Sequence, residues 1–221
     1  KGIWFSFKDV KESKGQYVVI PIRSEQFGPN RDVLLKVFSI NSRFGVSLLN
    51  NEMVFDFQAP EGTDAFESFA AMDNVIIKAI CAKAGSFPKR FNVKAKSGRP
   101  EHLEFAIAER FVATMRAKEA KGGGVYPPSK TINLPVNAAG EISCQFEVNG
   151  SILTDVGEIQ KLFKTNINVG AIFHWKGLTI NTTSNSFSLC LSVQKIIYNG
   201  ESDAPKMKKP QENILGNYDL S

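Results

Sequence analysis

Over residues 3–57 apolar and polar positions alternate, the spacing of strands whose successive side chains point to opposite faces. Ile3, Phe5 and Phe7 interleave with Trp4, Ser6 and Lys8, which predicts a strand carrying a ring and a cation on its outward side. Residues 17–22 read as a second strand, placed at an edge by Pro21, which lacks the N–H a ladder needs. Further strands are expected over 33–40, 44–49 and 53–57, where β-branched and aromatic residues are separated by Asn, Ser and Gly. The period then lengthens. Phe66, Phe69, Ile76, Ile77 and Ile80 fall on one side of a helix, with Asp64 and Glu67 at capping-box spacing and Gly85 as a stop.

A second helix is expected from Pro100, carrying Leu103, Ile107, Phe111 and Met115 at intervals of four until Gly122-Gly123-Gly124 ends it. Residues 86–99, between the helices, read as a basic hairpin or loop, and 121–130, with three Gly and two Pro, as a mobile exposed loop. Strands resume where Ile142, Cys144, Phe146 and Val148 alternate with polar residues. A short helix follows over 154–164. Two long strands, 169–180 and 187–198, form a closing hairpin around the turn formers of 181–186. Beyond residue 199 the chain is polar and holds Pro205, Lys206, Lys208, Lys209 and Pro210, the composition of a poorly ordered tail.

These elements define a mainly β, α+β fold. The expected domain spans 1–199, with a helical insertion at about 64–121 and a tail over 200–221. Apolar residues at 43% and charged residues at 22% suit a packed core. Phenylalanine changes the picture, because seventeen Phe beside two Trp and four Tyr exceed a minimal core. Aromatic side chains fill interiors and also stack on nucleobases.

The formal net charge of +5 suits a polyanionic partner, and its distribution says more. From Glu52 to Asp73 every charge is negative, and from Lys78 to Arg99 every charge is positive, which predicts two faces of opposite potential. The acidic run is expected to be a solvated face. Cys81, Cys144 and Cys190 are odd in number and far apart, so they read as core hydrophobes in a reducing compartment and not as a disulfide framework. No apolar run approaches the ~20 residues that span a bilayer, and no signal-peptide pattern is visible. A chain opening on Lys1 is expected to have lost an upstream segment.

Catalytic signatures are sparse. His102 and His174 have no second His or Cys at metal-ligand spacing, so neither a metal nor another cofactor is expected. A Gly-x-Ser-x-Gly elbow, a phosphate-binding P-loop and a dinucleotide fingerprint are all missing from the sequence, and no catalytic residue is assigned. The expected protein is not an enzyme.

Rings and cations interleave in the way a single strand requires, with cations following the phosphates and rings stacking on bases. Trp4 shares a face with Lys8, Tyr17 has the parity of Arg23, and Phe44 adjoins Arg43. Phe87 and Phe91 flank Lys89 and Arg90, and Lys94, Lys96 and Arg99 extend that stretch without an acid. His174 and Lys176 fall on one side of the penultimate strand. Together these residues are the expected nucleic-acid-binding set.

The last part of the chain carries a resemblance. A short helix, then Val169-Gly170-Ala171-Ile172-Phe173-His174-Trp175-Lys176, a turn, and Ser186-Phe187-Ser188-Leu189-Cys190-Leu191-Ser192-Val193-Gln194-Lys195-Ile196-Ile197 resemble the closing strands of single-stranded DNA-binding proteins of large cytoplasmic DNA viruses. That resemblance implies an OB-like β-barrel coating exposed strands during genome replication or repair in the host cytoplasm. Its expected partners are single-stranded DNA, with RNA as the related ligand, and replication proteins. Self-association is open and no membrane partner is expected. The rival readings are a β-sandwich structural or interaction protein and, more distantly, a nuclease using the acidic run.

Overall fold

The computed structural model describes residues 3–6, 11–13, 17–24, 33–49, 52–83, 100–119, 123–134, 136, 142–181 and 183–202. Alternating segments become strands β1 (Ile3–Phe5), β2 (Lys11–Ser13), β3 (Tyr17–Ser24), β4 (Val33–Ser42), β5 (Val46–Leu49) and β6 (Glu52–Gln58), followed by helix α1 (Asp64–Ala82). Helix α2 (Pro100–Ala108), the short strands β7 (Phe111–Val112) and β8 (Arg116–Glu119), and β9 (Val125–Asn133) come next. Strands β10 (Gln145–Val148) and β11 (Ser151–Leu153), helix α3 (Val156–Leu162), β12 (Ile167–Asn181) and β13 (Ser186–Glu201) complete the described order.

The protein is mainly β, with three helices among the described residues. One sheet runs in the order β11-β10-β13-β12-β4-β6-β9-β8, with β3, β5 and β7 attached beside that path and β1 and β2 attached through β3. The path is open, since β11 and β8 are not paired, whereas a closed barrel was expected. The path is thinnest between strands β4 and β6, which meet at the single pair Asn41–Gln58 just before the chain leaves the sheet toward α1.

Among the described residues phenylalanine is mostly interior: Phe5, Phe55, Phe57, Phe69, Phe146, Phe163, Phe173 and Phe187 are buried. Phe57, Phe69 and Phe173 contact one another with ring centroids 4.9–5.7 Å apart, and Trp175 lies 6.2 Å from Phe69. These rings join α1 to strands β6 and β12. Burial of each such side chain contributes about 1.5–3 kcal/mol, so this cluster fixes the helix on the sheet. Cys144 is buried and Cys81 and Cys190 are half-buried. Burial pushes the Cys144 thiol up to about 12, which keeps it a neutral core sulfur.

Several expectations need correction. The second helix stops at Ala108; Phe111 instead enters β7, parallel to β13, and Met115 is buried beyond it. Asp73 of α1 is the reason. Its carboxylate accepts the Thr114 N–H at 2.7 Å and the Thr114 hydroxyl at 2.6 Å, so that N–H is not available to a helical ladder. Most of the expected loop 121–130 is strand β9, paired with β6 from Gln58–Ser129 to Val54–Asn133. Its prolines are accommodated where the β8 pairing shifts register between Arg116–Ser129 and Lys118–Tyr126. Pro128 is buried and its carbonyl accepts the Ala59 N–H.

The acidic run is not uniformly solvated, because Asp56 and Asp73 are buried. Helix α1 is capped one residue earlier than its acids suggest: the Phe66 N–H donates to the Thr63 hydroxyl, and Asp64 and Glu67 sit in the first turn. The expected tail starts too early, because β13 runs through Glu201 and the Ser202 N–H donates to the Asn166 carbonyl; residues 203–221 and the basic stretch 86–99 lie outside the described residues.

Candidate nucleic-acid interface

The turn after β4 is clamped from two sides. Ser42 Oγ donates to the Asp56 carbonyl and accepts the Gly45 N–H at 2.9 Å. The Val46 N–H donates to the Phe163 carbonyl at 2.6 Å, and the Asn166 N–H donates to the Arg43 carbonyl at 3.1 Å. Gly45 has φ +60° and faces the Phe163 and Lys164 carbonyls so closely that a Cβ would overlap them. A turn held this way presents its side chains at low entropic cost.

Those side chains are Arg43 and Phe44. The Arg43 guanidinium lies 5.1 Å from the Phe44 ring centroid and 5.6 Å from that of Tyr126 on β9. Phe44 is 50% exposed. Tyr126 is the register partner of Lys118 on the edge strand β8, which also carries exposed Arg116. Half-buried Lys130 follows on β9, and exposed Lys176 on β12.

Electrostatics tie these groups into one strip. Burial pushes the Lys130 amine below its ordinary value, and the neighbouring Arg116 charge pushes the same way, with Asp73 opposing. Burial raises the Asp73 carboxyl, and its bonds from Thr114 only partly offset this. Asp56 is raised by burial as well, against the Thr131 hydrogen bond and the Lys118 and Arg43 charges. The Cys190 thiol is raised by burial while Lys176 and Lys130 pull it down, which places both cations near β13.

A second feature lies at the β4–β6 seam. Strand β4 bulges where its pairing with β12 skips from Val37–Ala171 to Ile40–Val169, and both Phe38 and Ser39 turn outward. Gly170 makes the bulge possible: a Cβ there would stand 3.2 Å from the Phe38 carbonyl. Asn199 Nδ2 donates to that carbonyl at 2.9 Å. Phe38 is left 74% exposed with Lys36 Nζ 4.8 Å from its ring centroid. Between this bulge and the start of α1 opens a cleft of about 570 Å³, which Asn41, Gln58 and Asn168 also line.

Of the expected site residues, the structure joins Arg43 to Phe44 and pairs the backbones of Trp4 and Arg23 across β1 and β3. Arg23 is half-buried and its Nη1 donates to the Ile22 carbonyl. Tyr17 begins β3, far along that strand from Arg23. His174 is half-buried beside Leu34 and Ser192, whereas Lys176 is exposed beyond a register shift, so the two do not form one unit. Lys8, Phe87, Lys89, Arg90, Phe91, Lys94, Lys96 and Arg99 lie outside the described residues.

Tyr126, Lys118, Arg116 and Lys130 were missed because their segment read as helix end and loop. Phe38 was missed although the sequence held a signal, since inward Val37 and Ile40 are three apart and break the alternation. Among the described residues no three His, Cys, Asp or Glu side chains group as metal ligands, and no helix is long and apolar enough to cross a membrane. The strip can attract phosphates and stack bases; the cleft adds a ring and carboxamides. No protein-family model matches the chain, and no curated protein matches it.

Proposed function

We propose that this protein binds single-stranded DNA without catalysis, by phosphate contacts and base stacking along the strip from Phe44 to Lys176. The observation that carries the reading is the Arg43 guanidinium set against the rings of Phe44 and Tyr126 at the head of a row of cations. Duplex DNA hides its base faces, so exposed rings favour a single strand. Binding tolerates most sequences because every base has a π-face, and it weakens with salt because each neutralised phosphate releases counterions.

The proposal extends to kinship with the single-stranded DNA-binding proteins of large cytoplasmic DNA viruses, most like the African swine fever virus member. The role is then protection of exposed strands during replication or repair at viral sites in the host cytoplasm, beside replication proteins. An OB-like relationship belongs to the same proposal. Strand β12 pairs along one edge with β4 over 167–175 and then with β3 over 177–181, the behaviour of a strand that turns a corner between sheets.

The test is a fluorescence-anisotropy titration of labelled oligo(dT), of its RNA counterpart and of a duplex of equal length. Preference for single strands over duplex supports the reading. Equal affinity for both, or no binding at low salt, overturns it in favour of a structural β protein, and metal-dependent cleavage of the strand would make the protein a nuclease.

A further inference from the structure

The cleft beside Phe38 differs chemically from the strip, and the difference points to its ligand. A phosphate would need the positive end of α1, but Asp64 and Glu67 occupy that first turn and Asp64 lines the cleft. Two carboxylates outweigh a helix terminus equivalent to about half a positive charge. The remaining polar groups are mainly neutral carboxamides and hydroxyls. The preferred occupant is therefore an uncharged ring with hydrogen-bonding edges.

The Gln58 carboxamide and the NH2 of Asn41 are free to read such a ring. Asn168 is committed: its Nδ2 donates to Ser39 Oγ at 2.9 Å and to Asn41 Oδ1 at 3.0 Å, and its Oδ1 accepts from Asn199 Nδ2 at 3.1 Å. Asn41 Oδ1 also accepts from the Ser202 hydroxyl at 3.0 Å. Its oxygen is thus used twice, which fixes the amide orientation and leaves the Asn41 NH2 donors without a partner among the described residues. Gln58, the register partner of Asn41, has no side-chain partner there either. Phe38, with Lys36 beside its ring, lines the cleft together with the free NH2 of Asn41 and the uncommitted amide of Gln58. Between them they offer two sets of donors and one acceptor, the groups that recognise a base edge.

We propose that this cleft takes one unstacked nucleobase of the bound strand, stacked on Phe38 and read at its edge by Asn41 and Gln58, with Lys36 on the adjoining phosphate. The inference rests on the single-strand reading and refines it: binding tolerates sequence along the strip and selects a base at one position.

The experiment uses the full chain and oligo(dT) strands in which each position in turn carries A, C or G. Wild-type protein is expected to show one position where the best and worst bases differ about tenfold in Kd, the scale of one good edge contact. Gln58→Leu should remove that discrimination while leaving the dependence on strand length unchanged. A 2-aminopurine probe at the same position should lose its quenching in Phe38→Ala, and circular dichroism of both variants shows whether they fold. Strand binding with all bases equivalent at every position, or discrimination that survives Gln58→Leu in a folded variant, overturns the base pocket and leaves the single-strand reading intact. Failure of every strand to bind removes the single-strand reading and this inference with it.

Discussion

The strip and the cleft adjoin along strand β4, one in the turn that follows it and the other at the bulge within it, and they are built to different degrees of rigidity. The turn carrying Arg43 and Phe44 is locked by Ser42, by the Phe163 carbonyl and by a left-handed glycine with no room for a side chain. Within the strand, Phe38 stands on a bulge held by Gly170 and one Asn199 hydrogen bond. The strip supplies charge and flat surface, whereas the cleft supplies neutral amides. On the proposed reading, general affinity and selectivity would therefore occupy separate groups linked by one strand.

The largest expected effect tests that difference in rigidity. Gly45→Ala should lower stability by roughly 2–4 kcal/mol, because it combines a strained φ with overlap on two carbonyls. Gly170→Ala, whose Cβ would meet the Phe38 carbonyl at 3.2 Å, should cost about 1 kcal/mol as the bulge gives way. Urea midpoints measure both, and equal losses would mean that the turn and the bulge are equally constrained.

Next come the rings. Phe44→Ala and Tyr126→Ala should each weaken oligo(dT) binding by about 1–3 kcal/mol, the scale of one lost stack. Phe38→Ala should weaken binding of thymine-only strands less than of strands carrying the selected base. Isothermal titration calorimetry checks this, and identical losses at all three positions would merge the strip and the cleft into one surface.

The smallest effects are in pH. The Asp56 and Asp73 carboxyls are raised above 3.8 in the folded protein, so the stability they contribute is full below 3.8 and is lost as pH rises through their raised values. Lys130 is lowered from 10.5, so its contribution is full above 10.5 and is lost as pH falls through its lowered value. Subtracting the Lys130→Met stability profile from that of wild type should therefore show a difference that grows toward alkaline pH. A flat difference would mean that Lys130 is solvated and free to serve phosphate without penalty.

Much of the scaffold was legible because burial on one face writes itself into local alternation. In β3 the buried Val18, Ile20 and Ile22 mark the strand, and the closing hairpin was located to within a few residues at each end. What the sequence hid depends on distant partners. Thr114 leaves the helix pattern because Asp73 accepts its N–H, and the prolines of β9 are tolerated because they sit at a register shift against β8. For the site, Arg43 and Phe44 were visible as neighbours, but nothing local to Tyr126 or Lys118 shows that β9 brings them beside Arg43. The open seam between β4 and β6, and with it the cleft, follows from a pairing of one residue on each strand, which no periodicity encodes.

The most direct test of the strip as a phosphate-binding surface is the salt dependence of oligo(dT) affinity in wild type and in an Arg116→Gln, Lys118→Gln, Lys176→Gln variant. Each lost phosphate contact on a single strand should reduce the slope of log K against log salt by about 0.7, so the triple variant should be shallower by about 2. An unchanged slope in a folded variant would contradict the account and place the phosphate path elsewhere on the molecule.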